Sequence, residues 1–255
     1  MSSYRVPPRT IARLGRAMLR RGETSLLGDA ADIVAATRPA PLLDGAERIP
    51  AAGPFVAVAN HCQRRGLWIG FPSALLTRAV ADRRPGAPPL HWAIVAETRL
   101  RGGRLVVPGT AWAYREVARC YEMVELPPRL DRVGGRAAGL IRLARLALPP
   151  PRGRGEPIAL YPEGESGTAA GLGHALPGTG SFLALLAAGG VPTLPVGFAE
   201  VDGRLTARIG TPFLLSTSGG DRGRRDADAR DEVMRRLAAL VPASMRRGVA
   251  PWEDA

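Results

Sequence analysis

The chain has 255 residues, is 45% apolar and carries a formal net charge of +12, amounts that suit one large α/β domain with a continuous core and require no second one. All of the positive charge is arginine, and its sign suits anionic lipid headgroups, acidic carriers or nucleic acid without choosing among them. Two cysteines, Cys62 and Cys120, exclude a disulfide framework and offer no metal-ligand spacing, so a reducing compartment is the default.

Arg5, Arg9, Arg13, Arg16, Arg20 and Arg21 all precede the first acid, Glu23, and no apolar core of a secretory signal accompanies them. Over residues 10–21, Ile11, Leu14, Met18 and Leu19 follow helical spacing, which predicts a basic amphipathic helix. Such a helix either packs its apolar stripe on a core or lies in a membrane interface. We therefore assign 1–36 to an N-terminal basic amphipathic helical segment and 37–255 to an α/β domain.

From residue 48 the pattern alternates. Strands are predicted at 55–59, 90–96, 122–126, 157–161, 193–199 and 204–209, with helices at 67–81, 110–121, 131–148, 180–188 and 229–241. Asp131 is the expected cap of the third of these helices. The run Pro149-Pro150-Pro151 forces a loop, Asp202-Gly203 marks a hairpin, and 219–228 reads as a charged loop. This is an α/β fold in which a mixed, largely parallel central sheet is flanked by helices and preceded by N-terminal helices. Residues 166–199 lack Asp, Glu and Arg, but His174 and several glycines and prolines divide them into a helix and a strand, so they read as core and not as a membrane span.

Two predicted strands stop abruptly at polar groups. Val56-Ala57-Val58-Ala59 ends at Asn60-His61, and Ile158-Ala159-Leu160-Tyr161 ends at Pro162-Glu163-Gly164. Strand ends of an α/β sheet are where ligands bind, so one edge offers a base and a carboxylate together. In order and spacing, these blocks resemble the glycerol-phosphate and lysophospholipid acyltransferase family, marked by Asn-His, four residues, Asp, and later Phe/Tyr-Pro-Glu-Gly. Gly53-Pro54-Phe55 ahead of Asn60, Gly178-Thr179-Gly180, Gly190-Val191-Pro192 and Gly210-Thr211-Pro212 extend the resemblance over about residues 48–213.

The resemblance implies transfer of a fatty acyl group from an acyl thioester, acyl-CoA or an acyl carrier protein as co-substrate, to a hydroxyl of a lysophospholipid or other lipid-like acceptor. It implies no cofactor beyond that co-substrate; His91 and His174 with the two cysteines make a poor metal site on spacing, and nucleic-acid binding would rest on net charge alone, so neither a metal nor a nucleic acid is expected. His61 takes the place of the family's general base, and Glu163 is the second catalytic candidate. The resemblance also implies a peripheral position on the cytoplasmic face of a membrane. Removing the acceptor's proton as its oxygen attacks suits an imidazole, which exchanges protons near neutral pH.

Where the family has its orienting acid this chain has Gly66, so either another carboxylate supports His61, with Glu163 and Glu165 nearest by family position, or catalysis is weak or absent. The family's phosphate-binding positions are also altered, to Glu165-Ser166-Gly167 and Leu176. Arg129 is the best remaining phosphate ligand by family position, and Arg64 and Arg65 offer a substitute positive site. Asn60, Arg64, Arg65, Arg129, Gly164, Glu165 and Ser166 are thus the expected substrate-binding residues.

Two other functional classes compete. A catalytically impaired relative would bind acyl chains or lipid without turnover, and would gain activity from Gly66→Asp. A serine hydrolase would use Ser166, because Gly164-Glu165-Ser166-Gly167-Thr168 approaches a nucleophile elbow, but its only downstream histidine is His174.

Overall fold

The computed structural model describes residues 4–64, 66–95, 99–100, 105–106, 109–126, 133–164, 171–216 and 221–246. The chain begins with two helices. Helix α1 (Pro8–Leu19) opens on a proline, whose missing N–H is harmless in the first turn. Helix α2 (Leu26–Ala36) is capped by Ser25, whose hydroxyl accepts the Gly28 N–H at 3.0 Å. The apolar stripe expected of α1 is only partly buried, since Ile11 and Leu19 stand 60% and 87% exposed. Arg13 turns inward instead and pairs with Asp29 and Asp32 on α2. Two acids on the facing helix thus draw an arginine to the packed side of α1.

Strand β1 (Leu42–Asp44) and strand β2 (Val56–Ala59) precede helix α3 (Gly70–Arg83) and strand β3 (His91–Val95). A short antiparallel pair, β4 (Arg99–Leu100) and β5 (Leu105–Val106), leads to helix α4 (Thr110–Cys120) and strand β6 (Val124–Leu126). Helix α5 (Val133–Ala147), strand β7 (Ile158–Leu160) and helix α6 (Thr179–Ala188) come next. The chain continues through strand β8 (Thr193–Val201), strand β9 (Arg204–Ile209) and helix α7 (Arg222–Leu240). The predicted cap Asp131 lies outside the described residues.

One expected loop is helix. Helix α7 starts at Arg222 because Asp221 caps it, accepting the Arg224 N–H at 2.9 Å, and the arginines and Ala227 after it are good helix formers.

The main sheet has seven strands in the order β1-β9-β8-β2-β7-β3-β6. Every neighbouring pair is parallel except β8 and β9, so the sheet is mixed and largely parallel as expected. Between those two strands Asp202 and Gly203 both have positive φ, 51° and 73°, which suits the tight hairpin turn that Asp-Gly favours.

Strands β2 and β7 each feed two cores through their alternation. Val56, Val58, Ile158 and Leu160 pack with Leu143, Leu183, Leu186 and Val233 from α5, α6 and α7. Ala57, Ala59 and Ala159 face the other way, toward Phe71, Leu75 and Leu76 of α3 and Trp92 of β3. Each large side chain buried in this way contributes about 1.5–3 kcal/mol. In the region expected to be core, Leu183, Leu186, Leu194, Val196 and Phe198 are inaccessible to solvent, while Leu185 is exposed and 166–170 lie outside the described residues. No described helix is long and apolar enough to cross a membrane.

Candidate active site

Adjacent parallel strands bring the two blocks together. In the β2–β7 register Val56 lies opposite Ile158 and Val58 opposite Leu160, and continuing that offset past the strand ends sets His61 opposite Glu163. The His61 backbone N–H donates to Glu163 Oε1 at 2.8 Å, and the Gly173 N–H donates to Glu163 Oε2 at 2.9 Å. One carboxylate therefore ties the end of β2 to the segment that leads into α6. Burial pushes the Glu163 carboxyl above the usual carboxylate range, and the two amide bonds oppose that rise.

The imidazole of His61 has a different setting. It stacks on Tyr161 with ring centroids 4.5 Å apart, and Tyr161 stacks on Trp92 at 5.3 Å. Polar atoms anchor this column from behind. The Tyr161 hydroxyl lies 2.7 Å from Ser73 Oγ, and Trp92 Nε1 donates to Thr77 Oγ1 at 2.9 Å. Stacked rings hold their offset geometry at little entropic cost, so the orientation of the imidazole is fixed by aromatic packing.

No carboxylate among the described residues hydrogen-bonds to the ring. His61 Nδ1 is buried with no hydrogen-bond partner among the described residues, and Glu163 Oε1 stands 3.9 Å from it. Burial without a supporting charge pushes the imidazole pKa down from 6.5 to about 4, so the ring is neutral at neutral pH. The expected help from Glu163 thus reaches the histidine's backbone and not its ring.

Asn60 is spent within the sheet. Its Nδ2 donates to the Phe198 carbonyl at 3.0 Å and its Oδ1 accepts the Phe198 N–H at 2.7 Å, so the side chain continues the β2–β8 pairing where β2 turns away. Arg64 is ion-paired with Glu200 and lies over the Tyr4 ring at 5.6 Å, while the Tyr4 hydroxyl donates to Glu200 at 3.0 Å. Sequence reasoning did not single out Tyr4 or Glu200, which lie more than a hundred residues apart and meet only in the fold. Nor did it single out the supporting Tyr161, Trp92, Ser73 and Thr77; the Trp92 indole inside a predicted strand was the available signal.

Gly164 serves the turn. It has φ +67°, its N–H donates to the Tyr161 carbonyl at 3.0 Å, and any Cβ there would collide with the Leu176 side chain. Gly66 lies in a tight turn closed by paired backbone bonds between Arg64 and Leu67, with φ +90°. Arg65, Arg129, Glu165 and Ser166 fall outside the described residues. The Cys62 thiol beside the histidine is pushed up to about 12, chiefly by burial, which leaves it an unreactive thiol. No group of three or more metal-ligating side chains occurs among the described residues.

No protein-family model matches this chain, and no curated protein sequence does. Among solved structures it is similar to the crystal structure of the 1-acyl-sn-glycerophosphate (LPA) acyltransferase PlsC from Thermotoga maritima. That likeness covers 96% of this chain and 80% of that one, at 16% identity and a TM-score of 0.44. So loose a superposition says nothing about which residues react.

Proposed function

We propose that the protein is an O-acyltransferase of the phospholipid or glycerol-lipid type, moving a fatty acyl group from an acyl thioester to a hydroxyl of a lipid-like acceptor. The observation that carries this reading is the meeting of His61 and Glu163 at one sheet edge, joined by the 2.8 Å bond from the His61 N–H. In the proposed step a neutral His61 accepts the acceptor's hydroxyl proton as its oxygen attacks the thioester carbonyl. Collapse of the tetrahedral adduct breaks the carbon–sulfur bond, and the departing thiolate takes that proton back. Since Nδ1 is sealed from solvent, Nε2 is the ring atom that exchanges the proton. Glu163 acts here as a positioning residue, holding the backbone from which the imidazole projects.

Acyl-CoA or an acyl carrier protein supplies the thioester in this reading, and a membrane surface supplies the acceptor. Ile11 and Leu19 on α1 and the 63%-exposed Trp112 on α4, with the arginines around them, support a peripheral seat on a bilayer.

A second reading, a catalytically impaired relative that keeps lipid or acyl-chain binding, is supported by the unpartnered Nδ1 and the depressed imidazole pKa. The serine-hydrolase alternative gains nothing from His174, which is exposed.

Transfer of a labelled acyl group from acyl-CoA or acyl carrier protein to a panel of lysophospholipids and glycerol lipids tests the choice. Transfer by the wild type that stops in His61→Ala supports the enzyme. No transfer by folded protein that still retains vesicles supports the impaired relative.

A further inference from the structure

A concavity lies at the opposite edge of the sheet, where β3 and β7 begin. It encloses about 460 Å³ and is walled by the last turns of α5 and by the loop from α5 to β7. Arg142 and Arg145, three apart on α5, share one helix face, and Arg152 and Arg154 face them from the loop. The loop reaches this position because its backbone folds onto the helix end: the Arg154 N–H donates to the Arg145 carbonyl at 2.8 Å and the Gly155 N–H to Leu148 at 2.9 Å. Gly153 permits that approach, since a Cβ there would collide with the carbonyl oxygens of Leu148 and Arg145. The loop thus brings two guanidiniums close to two others.

Like charges gathered in a concave surface repel, and a chain normally relieves them with acids. Arg13, Arg119 and Arg236 are each held by a carboxylate in this way. In the cavity only Arg154 is, through Glu156 at 2.7 Å, and Glu156 is shared with the buried His91 at 2.8 Å. Among the described residues Arg142, Arg145 and Arg152 have no carboxylate within 4.0 Å, although Glu122 also lines the cavity. Part of this placement has an ordinary cause, because Arg145, in the last turn of α5, complements the helix dipole. That cause does not reach Arg152 and Arg154, which lie outside the helix.

We propose that this cavity is a binding site for a small soluble ligand bearing two or more linked phosphates, of the pyrophosphate or nucleoside-diphosphate class. Guanidiniums take phosphate oxygens in bidentate pairs, and several flanking one space match a diphosphate better than a single carboxylate. The volume falls within the range of small-molecule sites. The site is separate from the candidate active site, because β7 runs between them with Glu156 ahead of its start and Glu163 beyond its end.

Calorimetric titration of the whole protein with pyrophosphate and with ADP, at low and at physiological salt, tests this. Binding is expected in the wild type and, unchanged, in His61→Ala, so the result stands or falls apart from the acyltransferase reading. The exposed double variant Arg142→Ala/Arg145→Ala should bind at least tenfold more weakly while keeping the wild-type melting temperature without ligand. The same ligands should raise the melting temperature of the wild type and not of the double variant. Three outcomes overturn the proposal: no binding to the wild type, equal binding to the double variant, or an arginine-dependent interaction seen only with phosphatidic acid vesicles.

Discussion

A neutral, unsupported His61 makes stability depend on pH in a defined window. The unfolded histidine takes up a proton near 6.5, whereas the folded one resists until about 4, so between these values the unfolded state binds more protons. Stability is then fully present above 6.5 and is lost as pH falls toward 4. A displacement of this size corresponds to about 3 kcal/mol, using 1.36 kcal/mol per pH unit. Glu163 contributes the opposite sign, because its raised folded pKa favours the native state at low pH, so the two must be separated by difference. In His61→Gln the backbone N–H that binds Glu163 is kept while the titrating ring is gone. Urea unfolding of both proteins at intervals from pH 7 to 4 should show the wild type losing about 3 kcal/mol more than the variant. Parallel slopes, or a ring that titrates near 6.5 by NMR, would refute the buried neutral imidazole.

Asn60→Ala strands the N–H and carbonyl of Phe198 in a buried site, and two unsatisfied groups should cost about 2–6 kcal/mol in denaturant unfolding. A loss below about 1 kcal/mol would show that the amide is not structural. Glu163→Gln turns an NH₂ toward one of two backbone N–H donors, so stability should fall by about 1–3 kcal/mol, and any acyl transfer should fall through kcat with KM little changed. An unaffected kcat would remove Glu163 from the positioning of His61. Gly66→Asp places a side chain at φ +90°, at a cost of about 1–2 kcal/mol, with Arg64 Nη1 3.6 Å from the new Cβ. Its carboxylate meets that guanidinium, so the variant should gain less than threefold in transfer; a tenfold gain would show that the missing acid alone limits the site.

The part of the site that the sequence made legible is the part built by short-range pattern. Apolar runs ending at Asn60-His61 and at Pro162-Glu163 announce two strands and their polar tips, and Asp202-Gly203 announces its own turn. Parallel pairing of β2 with β7 then needs no further code, because strands buried on both faces have few other places in such a sheet. What stayed hidden depends on distant partners. The three residues of β1 carry too short a pattern to register, and they become a strand only against β9. Charge disguised the start of α7, where Arg222 to Asp228 look like loop residues, but Arg222, Arg224, Arg225 and Ala227 are helix formers behind the cap Asp221. Asn60 looks like a ligand-binding amide at a strand tip, and only β8 shows where its two hydrogen bonds go. Nothing local to His61 reports that Nδ1 has no partner, since that absence is a property of the whole surrounding shell.

The central claim is that His61, held by aromatic stacking and by its backbone bond to Glu163, takes a proton during acyl transfer. The most direct measurement is single-turnover transfer from labelled acyl-CoA or acyl carrier protein to a lysophospholipid panel, comparing wild type with His61→Ala at equal folded concentration. The account predicts a product with the wild type, and a loss of about 10²–10⁴-fold in rate in the variant, the range of general-base catalysis. Equal rates in the two proteins would contradict it.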